Sequence, residues 1–345
     1  MNSIIMREQP RATTRPARIG FLGVGWIGRH RMEAMLSTGA VEAAAIADLS
    51  PEMMETAAKS APTAKLLTKL DELLAEDLDG VAIATPSAQH AEQSIQALNA
   101  GVAVFCQKPL GRSAPEVQAV VDAAKAADRL LGVDLSYRQT DAMRQIKALL
   151  QTQELGHVTA IDLTFHNAYG PDKPWFYDKR LSGGGCVIDL GVHLVDLALW
   201  SLDFPEVIGV TSHLFAQGQR LSNASEQVED YAVATLELAS GTIVRLACSW
   251  RLNAGQDCII DASFYGTAGG AAMGNVGGSF YDLTADHFSG TTSQRLAEPP
   301  DDWGGRAATA WARQLIQDGT FDPAAERLVD VADVIDRIYA DARHP

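Results

Sequence analysis

The segment Gly23-Val24-Gly25-Trp26-Ile27-Gly28 constrains this chain more than any other. It follows an apolar run, Ala17–Leu22, and opens a helical pattern, Trp26–Ser37. Asp48 stands just past the next apolar run, Val41–Ala47, and follows Gly28 by 20 residues. A glycine turn between strand and helix, with an acidic residue after the following strand, is the setting in which G-x-G-x-x-G binds a dinucleotide. Gly23 permits the tight turn, Gly25 lets backbone approach a pyrophosphate, and Gly28 lets helix and strand pack closely. The helix N-terminus, at Trp26 and Ile27, offers free N–H groups and a positive dipole end to phosphates. Asp48 suits an adenosine ribose and would repel a 2′-phosphate, so the pattern predicts NAD, with NADP the lesser alternative.

Strand and helix patterns go on alternating after this motif. Val81–Ala84, Val102–Cys106 and Leu131–Leu135 read as strands; Pro51–Ser60, Ala88–Ala100 and Ser113–Leu130 read as helices. Ser50 precedes Pro51 as an N-cap, Gly101 is placed as a helix terminator, and Ser113 with Glu116 has the spacing of a capping box. Such alternation predicts a parallel Rossmann sheet covered on both faces. After about Leu150 the pattern changes. Val158–Phe165, Val207–Phe215, Asp230–Leu238, Thr242–Trp250 and Ile259–Tyr265 read as strands, with Ala239-Ser240-Gly241 as a hairpin turn, and Ala307–Asp318 and Ala324–Asp341 as closing helices. The fold class expected is α/β: an N-terminal Rossmann domain, then an α+β domain on a large, mostly antiparallel open sheet. The chain of 345 residues has room for both. The expected division is a loose arm at 1–16, a dinucleotide-binding domain at 17–137 and a substrate and oligomerisation domain at 138–345, whose last helices can pack back on the first.

Composition excludes other classes. With 28 basic against 43 acidic residues the net charge is −15, and no Lys/Arg cluster offers a nucleic-acid surface. Cys106, Cys186, Cys248 and Cys258 form no CxxC pair, which predicts reduced, buried thiols and no metal site. No apolar run reaches the roughly 18–20 residues of a membrane span. The polar, Arg-containing first 16 residues lack a signal's apolar core. A cytoplasmic location is expected, and the Asn223-Ala224-Ser225 sequon is read as chance.

Two further segments carry chemistry. Gln107-Lys108-Pro109 directly follows a strand, and the C-terminal ends of parallel strands face the ligand crevice. Asp189 and His193 lie four apart, with Asp196 three further on, in the apolar stretch Val187–Leu199 behind Ser182-Gly183-Gly184-Gly185. On a helix Asp189 and His193 share a face, where buried polar groups need partners or a task. A structural role in the core, or a metal site lacking a third ligand, are the alternative readings of this pair.

Together with Ala84-Thr85-Pro86-Ser87-Ala88-Gln89-His90, these motifs resemble the Gfo/Idh/MocA family of glucose-fructose oxidoreductase, inositol dehydrogenase and relatives, from about Ala17 to the C-terminus. The resemblance implies a nicotinamide cofactor and a sugar or polyol substrate. It implies catalytic roles for Lys108, Asp189 and His193, and cofactor contacts from Thr85, Pro86, His90 and Gln107. It further implies a homodimer or homotetramer formed through the C-terminal sheet. His166 and Asn167 fall where some polyol-oxidising relatives touch substrate hydroxyls. Tyr169, Trp175, Phe176 and Tyr177 are candidates to wall the pocket, for core packing or for an oligomer contact. Gln107 departs from the family's usual Glu, which removes a charge beside Lys108 that would favour its protonated form. The reaction implied is reversible oxidation of a secondary hydroxyl to a carbonyl, with His193 the candidate base and Lys108 the candidate stabiliser of the reacting oxygen. An NAD-dependent glycosidase of the same fold and a silent NAD-binding sensor are the alternatives.

Overall fold

A computed structural model describes residues 15–221 and 226–342. The arm up to residue 14 and the sequon at Asn223 lie outside the described residues. The first sheet has six parallel strands: β1 (Ala17–Leu22), β2 (Val41–Ala47), β3 (Lys65–Leu67), β4 (Gly80–Ile83), β5 (Ala103–Cys106) and β6 (Leu131–Val133). Their order is β3-β2-β1-β4-β5-β6, the doubly wound order that opens a crevice beyond the C-terminal ends of β1 and β4. Helices α1 (Trp26–Ser37), α2 (Pro51–Ala58), α3 (Leu70–Leu74), α4 (Ser87–Asn99) and α5 (Ala114–Ala127) connect the strands. Ser50 accepts a hydrogen bond from Met53 N with Pro51 at the first helical position. Ser113 likewise caps α5, but Glu116 turns its carboxylate to Arg112 N and so completes no reciprocal capping box. The short edge strand β3 and five-residue α3 carry too little periodicity to be read from sequence.

The second sheet has nine strands in the order β15-β14-β13-β12-β7-β11-β10-β8-β9. These follow α6 (Asp141–Gln151) and are β7 (Val158–Asn167), β8 (Val207–Ala216), β9 (Gln219–Arg220), β10 (Tyr231–Leu238), β11 (Ile243–Ser249), β12 (Cys258–Gly266), β13 (Gly270–Asn275), β14 (Leu283–Ser289) and β15 (Thr292–Ala297). Only β7 and β11 pair in parallel; every other neighbouring pair is antiparallel. One face of this sheet buries Ile161, Leu163, Phe165, Leu236, Leu246 and Phe264 in a single core. The helical segment between β7 and β8 comprises α7 (Lys179–Ser182), whose Arg180 and Leu181 are exposed, and then a π-turn at Val187–Gly191 and α8 (Val192–Ser201), which lie in that core. Lys179–Ser201 reaches 23 residues and has the mean hydropathy of a membrane span, which the run lengths of the sequence did not suggest. Its most apolar window is 83% buried within the protein, as in a core helix.

The last helices tie the two sheets together. In α9 (Arg306–Gln317), Trp311 packs on Phe105 of the first sheet with ring centroids 5.7 Å apart. In α10 (Arg327–Asp341), Tyr339 reaches the glycines ahead of the π-turn. All four cysteines are free and buried, and Cys186 and Cys248 bring their sulfurs within 3.8 Å.

Candidate active site

A cavity of about 1420 Å³ runs from Asp48, past the glycine turn, to Lys108, Asp189 and His193. Its first half is built as the glycine pattern requires. Gly23 has φ +80°, and a Cβ there would lie 2.7 Å from the Ala84 carbonyl carbon. A Cβ on Gly28 would fall 2.1 Å from Gly23 O, so this glycine packs the helix on the turn and does not line the cavity. A Cβ on Gly25 would meet nothing within 4 Å and would project into space a pyrophosphate needs. Asp48 Oδ2 accepts from Val24 N and Oδ1 from Ser50 N, both at 2.8 Å, which fixes a carboxylate whose edge still lines the cavity. These residues fit a dinucleotide. Trp26, Ile27, Thr85, Pro86, His90 and Gln107 also line the cavity. His90 is only 2% exposed, and its ring nitrogens lie 2.7 and 2.6 Å from the carbonyl oxygens of Pro109 and Thr85. It thus ties the Thr85 loop to the Lys108 loop. Burial lowers its pKa, against the pull of those two carbonyls.

The second half joins the two sheets. Lys108 leaves the end of β5 and sets Nζ 2.6 Å from Asp189 Oδ1 and 2.7 Å from the Asp189 carbonyl oxygen. Trp250 Nε1 donates to the other carboxylate oxygen at 3.0 Å. Asp189 sits in the π-turn, and such turns re-aim side chains at functional sites. The turn is anchored from below by Glu229, whose Oε1 accepts from Gly185 N, Val187 N and Tyr339 Oη at 2.9, 2.9 and 2.8 Å. A Cβ on Gly185 would lie 1.9 Å from the Glu229 carbonyl oxygen, so only glycine allows this approach. His193 is 7% exposed and lines the cavity. It packs edge-on against Tyr137 with centroids 5.0 Å apart, and among the described residues nothing hydrogen-bonds its ring. Burial, then the charges of Lys108 and Arg31, hold its pKa well below the ordinary imidazole range. At neutral pH it is a neutral ring beside an ammonium group.

Residues 17–135 match the oxidoreductase family with an NAD-binding Rossmann fold, and residues 143–272 match the GFO/IDH/MocA C-terminal domain. The chain belongs to the GFO/IDH/MocA oxidoreductase family. D-glucoside 3-dehydrogenase of Escherichia coli is 28% identical over 273 residues, covering 76% of this chain and 78% of that one. Inositol 2-dehydrogenase of Acidothermus cellulolyticus is 26% identical over 323 residues, covering 86% and 91%. A levoglucosan dehydrogenase solved with NADH superposes with a TM-score of 0.81 at 21% identity, over 95% of this chain and 97% of that one, a likeness of fold.

Against this family background the place of Gln107 has a physical reason. Its Nε2 donates to Asp134 Oδ2 at 2.5 Å, and Arg31 Nε donates to the same oxygen at 2.6 Å. A glutamate here would face a second carboxylate, whereas the amide supplies a donor. The counter-charge for Lys108 is Asp189, so the lost Glu charge is made good elsewhere. Gln107→Glu is therefore expected to cost about 1–3 kcal/mol of stability at pH 7.5. The loss should shrink at pH 5, as two carboxylates forced together retain a proton. Urea midpoints of both proteins at the two pH values check this.

Other candidates sort by side-chain direction. Phe165 faces the core and His193, so the next residue, His166, points to the outer face, where it stacks on Tyr231 and meets Ser249 Oγ at 2.8 Å. Burial lowers its pKa. Neither His166 nor Asn167 lines the cavity, and Asn167 Oδ1 is buried without a partner. Asp196 is 2% exposed and bound by Arg138, away from the cavity. Trp175 and Phe176 do line it; Tyr169 and Tyr177 do not. Sequence reasoning missed Arg31, Asp134, Tyr137, Glu229 and Trp250. Of these only Asp134, just past β6 as Lys108 is just past β5, carried a positional signal.

Proposed function

We propose that this chain is an NAD-dependent oxidoreductase that interconverts a secondary hydroxyl of a sugar or polyol and the corresponding carbonyl. The observation that carries this reading is the convergence of Lys108, Asp189 and His193 at the end of a cavity that begins at the glycine turn. Bound nicotinamide would take up or return the hydride. The protein's own groups orient the alcohol and move its proton. Neutral His193 accepts the hydroxyl proton on oxidation and returns it on reduction. Lys108 has three N–H donors. Two are directed at Asp189, which leaves one for the reacting oxygen as negative charge develops there. Asp189, held between Lys108 and Trp250, is a positioning residue that also presents acceptor lone pairs to neighbouring hydroxyls.

For the cofactor, support for NAD comes from the Asp48 carboxylate, fixed by two backbone N–H groups and followed by exposed Leu49; Lys69 lines the same end of the cavity. The test is absorbance of the reduced cofactor with NAD and NADP in parallel, over sugars, inositols and their derivatives. Reduction of NAD at least about tenfold faster than NADP is the expected result, falling towards parity in Asp48→Ala as the repulsion of a 2′-phosphate is lost. Higher rates with NADP would overturn the cofactor reading. Tight NAD binding without turnover, or cleavage of a chromogenic glycoside without net NADH, would favour the sensor or glycosidase instead.

A further inference from the structure

The reacting end of the cavity has a charge pattern that its reaction alone does not require. Among the described residues lining this end, three carry a fixed positive charge, and each is already matched. Lys108 pairs with Asp189 at 2.6 Å and Arg31 with Asp134 at 2.6 Å, both largely buried, while Lys173 meets Asp172 at 3.1 Å with both side chains exposed. A further lysine, Lys69, lines the opposite end, after β3 and close to Asp48. Asp134 Oδ1 has essentially no accessible surface and no donor among the described residues, so a ligand in the cavity meets the Arg31–Asp134 pair and not this oxygen. A phosphate or carboxylate placed against Lys108 or Arg31 would have to break a largely buried pair or remain without a counter-charge. A hydroxyl can donate to the carboxylates and accept from the cations while every pair stays intact.

Aromatic rings flank the same end on two sides. Trp175 and Phe176 stack with centroids 3.8 Å apart, and Phe176 meets Trp250, the residue that holds Asp189, edge-on at 6.3 Å. On the other side Tyr281 meets Trp303 at 6.3 Å, Trp303 meets Tyr137 at 5.0 Å, and Tyr137 meets His193. One aromatic series thus ends on Asp189 and the other on His193. Flat apolar surface beside fixed hydrogen-bonding groups suits a ring with C–H faces and an equatorial belt of hydroxyls.

We propose that this end of the cavity is a slot for an uncharged six-membered ring, a pyranoside or cyclitol bearing no phosphate, carboxylate or nucleotidyl group. The proposal rests on the oxidoreductase reading and narrows it. The experiment compares kcat/KM with NAD for methyl β-D-glucopyranoside and myo-inositol against glucose 6-phosphate and glucuronate. The better neutral compound is expected to exceed both anions by about a hundredfold or more, because an unpaired buried anion is heavily penalised. Trp175→Ala should raise KM for that compound about tenfold and move kcat less than threefold, since stacking binds ground and transition states alike. Calorimetric titration of the enzyme–NADH complex with the same four compounds keeps the two readings separable. An anion turned over or bound more tightly than both neutral rings overturns the slot and leaves the oxidoreductase standing. Selective binding of a neutral ring without turnover supports the slot and overturns the reaction. Failure of all four to bind overturns the slot.

Discussion

Replacing Lys108 by alanine is expected to lower kcat by about a thousandfold, the scale of removing a donor aimed at developing negative charge. The argument rests on where the ammonium group is held. Two of its donors meet the carboxylate and carbonyl of Asp189, in a turn built on the second sheet, while its own backbone belongs to the first. The side chain therefore spans the crevice in which substrate and cofactor would meet. Its loss removes a donor from the reacting oxygen and leaves Asp189 with Trp250 alone. Both side chains of the pair are largely buried, so the fold should lose about 1–3 kcal/mol as well. Lys108→Met keeps the stem and loses the ammonium group, so it separates loss of the donors from loss of side-chain packing. Single-turnover hydride transfer and thermal melts should show both variants folded at 25 °C and both slow. A variant with near-normal turnover would remove Lys108 from the chemistry.

The parts of this site that sequence made legible are those fixed to the end of a regular element. Gly23, Gly25, Gly28 and Asp48 follow strands at set offsets, and Lys108 does the same, so their place in the crevice follows from topology. Asp189 and His193 were legible as a spaced polar pair in apolar surroundings, though not as members of a π-turn joined to a helix. What stayed hidden arises from long-range approach. Nothing local connects Arg31 with Asp134, Glu229 with Gly185, or Trp250 with Asp189. His166 shows how narrow the margin is on a strand, where one residue of offset exchanges the site face for the outer face. β13 was hidden for another reason. Its sequence, Gly-Ala-Ala-Met-Gly-Asn, lacks the β-branched and aromatic residues by which strands are recognised. The polar edge strand β15 is exposed along most of its length and shows no alternation.

The second large effect belongs to His193. His193→Ala should lower kcat by about 10²–10⁴, the range for loss of a positioned acid–base group. The pH profile distinguishes this role from simple packing. Burial and the positive charges of Lys108 and Arg31 lower the pKa of His193 in the folded protein, so the neutral, proton-accepting form persists below the ordinary value of 6.5. Oxidation by the parent enzyme should thus hold steady on acidification through pH 6.5 and fall only on a limb further into the acid range. That limb should vanish from the residual activity of the variant. Stability responds in the same window. Below pH 6.5 the unfolded chain takes up a proton at this position that the folded chain refuses, so stability falls as pH falls from 6.5 towards the lower folded pKa. His90, His30 and His166 are lowered too, each chiefly by burial, and add to the same acid-side loss. His193→Ala should therefore flatten the fall of the urea midpoint between pH 7 and pH 5 without abolishing it. An acid limb that survives unchanged in the variant would assign the proton to another group. An unchanged pH–stability slope would mean that His193 titrates normally in the folded protein.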